Sequence, residues 1–392
     1  MSDSQVPTCR WGIITVGLIS SWFVADLVAP RPDAKAKHVI QAIGASSEQK
    51  GKDFIKKYIT DADTGAVQHN PTLYSSYDEV YNDPNVDCVY IGSPHGLHYR
   101  DLKNAINAGK NVLCEKAFTI NAREAREVFA LAREKNVYVA EAMWLRHRPL
   151  IRDIRKQLYD DKVIGDVFRT ACDFRMGLDF SKLDKNSRHL IPELGAGSLL
   201  DIGIYSLTWA ILTLDPSTPA EGGLKGKSSA QGQGDLETSS EQPVVLASQS
   251  FEPTVGVETS TAAILRYPSS GRQGVITSTM NTQRGAGHHF ATIEGTEGFI
   301  EVEGNAPSHP TKFTVYPKWV GVAPGSKPKP LGSYEYPLKP YQGFIYEADN
   351  TALDIAAGRK ESSVMPWAES VRVMEIMDSI RQQGGTVYPQ DK

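Results

Sequence analysis

Val112-Leu113-Cys114-Glu115-Lys116-Ala117-Phe118 is an apolar run broken by an acidic residue and a lysine. Such a run reads as the end of a buried strand. Charged residues there fall where an open α/β sheet opens its ligand crevice, beyond the carboxyl edge of the strands. Lys116 is therefore the first candidate for chemistry. The plainer reading is a solvated lysine at a strand end, paired with Glu115, so the neighbouring sequence has to decide.

Working outward, residues 87–92 form another strand that empties into Ser93-Pro94-His95-Gly96-Leu97-His98 and a helix to Ala108, stopped by Gly109. Downstream lie a helix over 121–134 and a strand over 137–142. Near the N-terminus, residues 10–17 read as a buried strand ending at Gly17, and Leu18, Trp22, Ala25 and Val28 carry helical spacing over 18–28. Residues 39–45 are a further strand, followed by a helix through Lys50, Phe54 and Tyr58; the region near Leu73 is less clear. Strands alternating with helices at this spacing predict a doubly wound parallel sheet over residues 1–142.

In dinucleotide-binding folds the first strand, tight turn and helix bring backbone N–H groups up to a pyrophosphate. Gly17, with Leu18 and Ile19 opening the helix, is the candidate turn. Thr15, Gly17 and Ser20 occupy the three fingerprint positions, so only the central glycine is kept. At the end of the second strand a carboxylate would bond the ribose 2′-hydroxyl of NAD and repel a 2′-phosphate. Ser46 and Ser47 stand there with Lys50 nearby, groups that accept a phosphate, and this favours NADP. The serines also suit the cap of the next helix, a compatible role.

After residue 142 the pattern changes. A helix over 149–159 precedes strand-like runs at 168–176, 244–251, 259–267, 274–280, 289–294 and 299–302, joined by turns such as Pro268-Ser269-Ser270-Gly271. These predict a second domain over 143–392, of α+β type with a mainly antiparallel open sheet. Residues 215–242, rich in Ser, Gly, Pro and Glu, read as a mobile surface insertion, and two helices within 343–385 close the fold. In the run Leu200-Asp201-Ile202-Gly203-Ile204-Tyr205, Asp201 and Tyr205 are four apart and share a helix face, so both could enter one cleft. Alternatively Asp201 caps the helix and Tyr205 packs in the core.

A chain of 392 residues has room for two ordinary domains. A net charge of -4 gives no reason to expect nucleic acid or an anionic membrane as partner. No run approaches the roughly 18 apolar residues of a membrane span, and Met1 to Arg10 lack the apolar core of a secretory signal, so a cytoplasmic location is expected. Cys9, Cys88, Cys114 and Cys172 are scattered, which suggests buried thiols rather than disulfides or a metal clip, and no metal site is predicted.

The chain resembles the superfamily of glucose-fructose oxidoreductase, inositol dehydrogenase and the rhizopine-catabolism proteins (Gfo/Idh/MocA). Within it the similarity is closest to the dimeric dihydrodiol dehydrogenases and the fungal NADP-dependent D-xylose dehydrogenases. The residues responsible are Arg10-Trp11-Gly12-Ile13 with Gly17-Leu18-Ile19-Ser20-Ser21, Cys114-Glu115-Lys116-Ala117-Phe118, Glu141-Ala142-Met143-Trp144-Leu145-Arg146, Leu200 to Tyr205, and the ending Val387-Tyr388-Pro389-Gln390-Asp391-Lys392. The resemblance implies that the superfamily's Glu-Lys-Pro motif falls on Glu115-Lys116, with Ala117 in place of proline. Its catalytic lysine then carries to Lys116 and the partner tyrosine to Tyr205, with Asp201 beside them. The cofactor loop carries to Ser93, Pro94 and His98; His95, a turn histidine, has simple solvation as its alternative. Trp144 and Arg146 are read as walls of the nicotinamide pocket, the alternatives being core packing and a surface ion pair.

Removing a hydride from a carbinol carbon leaves a carbonyl only if the hydroxyl proton also departs, so a base has to lie within reach. The resemblance implies an NADP-dependent oxidoreductase acting on the anomeric hydroxyl of an aldopyranose, D-xylose first, with trans-dihydrodiols as a side activity. Another polyol or ketosugar, such as an inositol or a 1,5-anhydro sugar, is the alternative substrate. A non-catalytic NADP-sensing regulator is the alternative class. A homodimer through the open face of the C-terminal sheet is expected.

Overall fold

Strands in the first half are covered by helices on both faces, which is why they read as unbroken apolar runs. The computed structural model describes residues 6–62, 64–65, 67, 69–220, 236, 240–284, 287–320, 326–337 and 342–392. β1 (Thr8–Ile14), β2 (Lys37–Gly44), β3 (Thr72–Tyr74), β4 (Cys88–Ile91), β5 (Asn111–Glu115) and β6 (Val139–Ala142) form one sheet in the order β3-β2-β1-β4-β5-β6. All its pairs are parallel. The intervening helices are α1 (Leu18–Val28), α2 (Glu48–Ile55), α3 (Tyr77–Asn82), α4 (His95–Asn107) and α5 (Ala122–Lys135). Strand order reverses between β1 and β4, so the crevice opens beyond their carboxyl ends, between the Gly17 turn and the Ser93 loop. β3 has three residues, too few for an alternation to show near Leu73.

The second half contains α6 (Pro149–Arg155), β7 (Val167–Arg175), α7 (Ile204–Leu214), β8 (Val244–Phe251), β9 (Glu258–Arg266), β10 (Gln273–Thr279), β11 (His289–Gly295), β12 (Gly298–Ala306), β13 (His309–Pro317), β14 (Gly332–Glu335), α8 (Ile345–Ala356) and α9 (Trp367–Gly384). Its strands make an eight-stranded sheet, β14-β13-β12-β11-β7-β10-β9-β8, antiparallel except where β10 runs parallel to β7. β13 and β14 are not among the strands expected from the sequence: prolines at 310 and 317 bracket β13, and β14 is only four residues long. The expected helix over 149–159 is α6 followed by a wider π-helical stretch, Lys156–Asp160.

α7 lies across β7 and β10 with every residue buried. The stretch Pro192–Leu214 is long and apolar enough to cross a membrane, contrary to the sequence reading, but its most apolar window is entirely buried within the protein. On the sheet's other face Leu246, Ile264, Val275 and Ala171 stand side by side in register across β8, β9, β10 and β7. Leu246 is 64% and Ile264 44% exposed.

The last helices reach beyond this sheet to the first. The Asp26 carboxylate of α1 accepts the backbone N–H groups of Gln342, Gly343 and Phe344 at 2.7, 2.7 and 2.8 Å, capping the approach to α8. Val139 of β6 donates to the Lys360 carbonyl at 3.0 Å, and the Trp367 indole returns a bond to the Val139 carbonyl at 2.8 Å. Residues 343–385, read from sequence as part of the second domain, thus pack on the first as well, while α9 also lies along β8 of the second sheet.

Two further readings are corrected. Arg146 does not line a cofactor pocket: fully buried, it pairs with Glu369 of α9 at 2.8 Å and donates to the Pro219 carbonyl at 3.2 Å. Arg372 completes the cluster, 3.3 Å from Glu369 and 2.9 Å from Asp215. The 215–242 insertion therefore has packed ends, with Asp215, Thr218 and Ser240 all buried; residues 221–235 and 237–239 lie outside the described residues.

Removing one partner of a buried ion pair strands the other charge. Arg146→Ala is expected to destabilise the fold by about 3 kcal/mol, the low end of that range because Arg372 still faces Glu369. The measurement is a lowered urea midpoint, with unchanged dinucleotide affinity in the folded protein.

Candidate active site

The turn after β1 departs from the glycine fingerprint in an informative way. Thr15 sits at φ +73°, in the left-handed region, which costs a residue with a Cβ roughly 1–2 kcal/mol. Its Oγ1 donates to the Gly92 carbonyl at 3.0 Å and lies 3.2 Å from the Ser20 hydroxyl, so side-chain bonds hold a shape that glycine otherwise supplies. Gly17 precedes α1 with nothing within 4 Å of where a Cβ would stand, and no side chain caps the helix. Leu18 beside it is 67% exposed and Ile19 half-buried. Open space over uncapped N–H groups is what a pyrophosphate requires, so the residues present fit the dinucleotide. At the end of β2, Ser46, Ser47 and Lys50 are exposed, and Ser47 also caps α2, accepting from the Lys50 N–H at 3.3 Å. Glu48 between them is drawn to Lys52 at 2.6 Å.

In the β4 loop, Pro94 opens α4 and the Ser93 hydroxyl donates to Asp101 at 2.7 Å. His98 is wholly buried: Nδ1 lies 2.9 Å from the Ala117 carbonyl and Nε2 2.7 Å from that of Ser93. With both nitrogens on backbone, it ties the β4 loop to the Lys116 loop as a positioning residue, a correction to its assignment as a cofactor contact. Glu115, on the opposite side of the strand end from Lys116, accepts from the Tyr90 hydroxyl at 2.7 Å, and burial pushes its carboxyl up to about 7 against the pull of the Lys116 charge. Its geometry makes it a support beneath the crevice rather than a cofactor ligand. Glu347 of α8 is also buried and raised, first by desolvation and then by Glu115.

The groups from the two domains converge. Lys116, preceding a cis peptide bond to Ala117, donates from Nζ to the Asp201 carbonyl at 2.6 Å and lies 3.4 Å from its carboxylate. The same Nζ is 5.2 Å from the centroid of the Tyr205 ring. The Trp144 indole donates to the Tyr205 hydroxyl at 2.5 Å, leaving the phenolic proton available for another acceptor. Trp144 is stacked on Phe344 at 4.4 Å, so core packing and a role at the site coexist in one residue. Asp201 lies in a π-helical stretch, Leu199–Gly203, leading into α7; its carboxylate goes to Lys116 and Arg188 rather than capping the helix.

Burial would raise the Asp201 carboxyl, but the charges of Lys116 and then Arg188 hold it well below the usual carboxylate range. Burial, with the nearby Glu115, pushes the Tyr205 phenol well up, so it keeps its proton at neutral pH. His95 is buried, not solvated: desolvation first and the Lys116 charge second keep it neutral, with Nδ1 3.3 Å from the Gly195 carbonyl. Arg188 reaches Asp201 at 2.9 Å and His189 at 3.8 Å. Neither was singled out from sequence, because both lie in the irregular loop 180–194, where no periodicity indicates a facing partner. An ammonium, a phenol and a carboxylate around one point, beside a dinucleotide crevice, can hold a hydroxyl by hydrogen bonds, and the phenol becomes an acceptor for its proton once it has given up its own.

Residues 9–143 match the model of an oxidoreductase family with an NAD-binding Rossmann fold, and residues 155–301 match the GFO/IDH/MocA C-terminal domain. The chain is 33% identical to the D-xylose 1-dehydrogenase (NADP(+)) of Hypocrea jecorina, covering 100% of this chain and 95% of that one. It is 32% identical to the trans-1,2-dihydrobenzene-1,2-diol dehydrogenase of Xenopus tropicalis, covering 97% and 99%. Its fold is similar to that of a 3-ketoreductase from Actinomadura kijaniata, solved with NADP and TDP-benzene, at a TM-score of 0.73 and 20% identity over 96% of this chain and 98% of that one. With both domains matched and the lysine, aspartate and tyrosine brought together between them, the chain belongs to the Gfo/Idh/MocA family of NAD(P)-dependent oxidoreductases.

Proposed function

We propose that this protein oxidises the anomeric hydroxyl of an aldopyranose, D-xylose first, to the lactone, with NADP as cofactor. The observation that carries the reading is the meeting of Lys116, Asp201 and Tyr205 across the domain junction. The likeness to a D-xylose 1-dehydrogenase over the whole chain supports the substrate. Exposed Ser46, Ser47 and Lys50, with Glu48 occupied by Lys52, support the cofactor choice.

NADP, when bound, takes up the hydride from the sugar's C1. The chain's own groups handle the proton. The Tyr205 phenol bonds the C1 oxygen, held in place by Trp144; its phenolate form, with the Lys116 ammonium over the ring, takes the hydroxyl proton as the hydride leaves C1, which regenerates the phenol. Asp201 fixes the Lys116 ammonium and offers an acceptor to a neighbouring sugar hydroxyl. Phe174, with its ring 5.8 Å from that of Tyr205, adds an apolar wall, which favours trans-dihydrodiols as a second substrate class.

Turnover of D-xylose, read as absorbance of reduced cofactor, tests the assignment against a panel with an inositol, a 1,5-anhydro sugar and a trans-dihydrodiol. Lys116→Met is expected to lower kcat by at least 10³-fold, in the range of losing a group that acts in proton transfer, while NADP binding by fluorescence titration stays measurable. A variant that turns over normally refutes the role. For the cofactor, kcat/KM with NADP is expected to exceed that with NAD by at least tenfold, and Lys50→Glu should narrow the gap; equal efficiencies would contradict the reading of the β2 end.

The row Leu246, Ile264, Val275 and Ala171 supports a homodimer formed through the open sheet face. Ile264→Asp is expected to convert the dimer to a monomer in sedimentation velocity runs without loss of helical signal.

A further inference from the structure

The ending Tyr388-Pro389-Gln390-Asp391 takes no part in the chemistry above, yet it touches both halves of the site's support. We propose that this tail is a clamp that sets the approach of Lys116 to Asp201, so that Tyr388 and Gln390 are positioning residues for catalysis. The inference rests on the catalytic reading of Lys116, Asp201 and Tyr205.

Its first arm is Tyr388, buried, whose hydroxyl donates to the Ala196 carbonyl at 2.8 Å. Gly197, at φ +144°, makes room: a Cβ there would stand 2.8 Å from the phenol oxygen. The second arm is Gln390, whose Nε2 donates to the Glu193 carbonyl at 2.8 Å. This holds the strand of chain over the start of α4, where Gly96 admits it so closely that a Cβ would fall 1.9 Å from the Glu193 oxygen. On the other side the Gln390 carbonyl accepts from Arg123 at 2.6 Å and from Asn121 at 3.3 Å, and Asn121 also donates to Asp391 at 3.0 Å. Asp391 is itself fixed by Arg381 of α9 at 2.7 Å and by the Tyr388 N–H at 2.8 Å.

The register gives these contacts their meaning. Asn121 lies five residues after Lys116, and Ala196 lies five residues before Asp201. Both connecting stretches are stiff. Ala117, Phe118 and Ile120 are fully buried, and Glu258 holds the Ser198 hydroxyl at 2.6 Å and the Leu199 N–H at 2.9 Å. The segment it grips also carries the Gly195 carbonyl that faces His95. A tail bonded to both stretches holds the two domains' reactive groups at one separation without touching either. Positioning errors of about 1 Å cost large factors in rate, and this is where loss of the clamp would act.

The test compares Tyr388→Phe and Gln390→Glu with Gln383→Ala. Tyr388→Phe removes one hydroxyl, and Gln390→Glu keeps the shape but loses the donor. Gln383 anchors the same helix to β8 through the Val245 carbonyl at 2.9 Å, away from the gripped segment. Both tail variants are expected to lower kcat at least fivefold with the NADP dissociation constant within twofold of wild type. They should also speed amide hydrogen exchange in peptides covering 190–203 of the NADP-bound protein. Gln383→Ala should lower the thermal midpoint with neither effect. Unchanged kcat and exchange in the tail variants, a kcat loss that follows loss of NADP, or the same loss in Gln383→Ala overturns the clamp. If wild type turns over no sugar or diol, the catalytic reading has failed. The exchange result then decides alone: faster exchange at 190–203 supports the clamp, and unchanged exchange overturns it.

Discussion

The ammonium of Lys116 on the backbone carbonyl and carboxylate of Asp201 is the interaction on which the rest of the structure depends. It is nearly closed to solvent, and a charge withdrawn from water is tolerated only where partners replace its hydration. Arg188 supplies the second positive charge on Asp201, and the carbonyl at 2.6 Å supplies a shorter hydrogen bond than the 3.4 Å one to the carboxylate. Each partner comes from a different domain, so neither half of the chain could hold the pair unaided.

The parallel half was legible because strands buried on both faces leave apolar runs and helices leave capping residues. Asn121 before α5 and Ser47 before α2 both accept from the N–H three residues on. Lys116 stood out not by its place at a strand end, where a lysine reads as solvated, but because Glu115-Lys116 falls on the motif of the family that the chain resembles. Spacing from Asp201 left Tyr205 open between core packing and the cleft, and the family resemblance singled it out; the intervening backbone is π-helical, so the two meet Lys116 by a different geometry from a shared α-helical face. Arg146 was misread for a definite reason: its partner Glu369 is 223 residues away, and no local pattern reveals a partner at that distance. Arg188 and His189 were missed because an irregular loop has no period to read.

The division into two domains follows the sheets more than the chain. α8 and α9 come last in sequence and bridge the two sheets, leaning on α1, β6 and α5 through Asp26, Lys360 and Trp367 while α9 also lies along β8. Phe344, at the start of α8, then stacks on Trp144, which holds Tyr205. Closing the fold and orienting the phenol are therefore tasks of the same returning segment.

Thr15 has a consequence of a different kind. Because its hydroxyl is bonded to the Gly92 carbonyl, the phosphate turn and the nicotinamide loop, which flank the topological reversal of the sheet, are fastened to each other across the floor of the groove. A dinucleotide laid along the groove would therefore meet, under its middle and its reacting end, backbone that this one bond ties together.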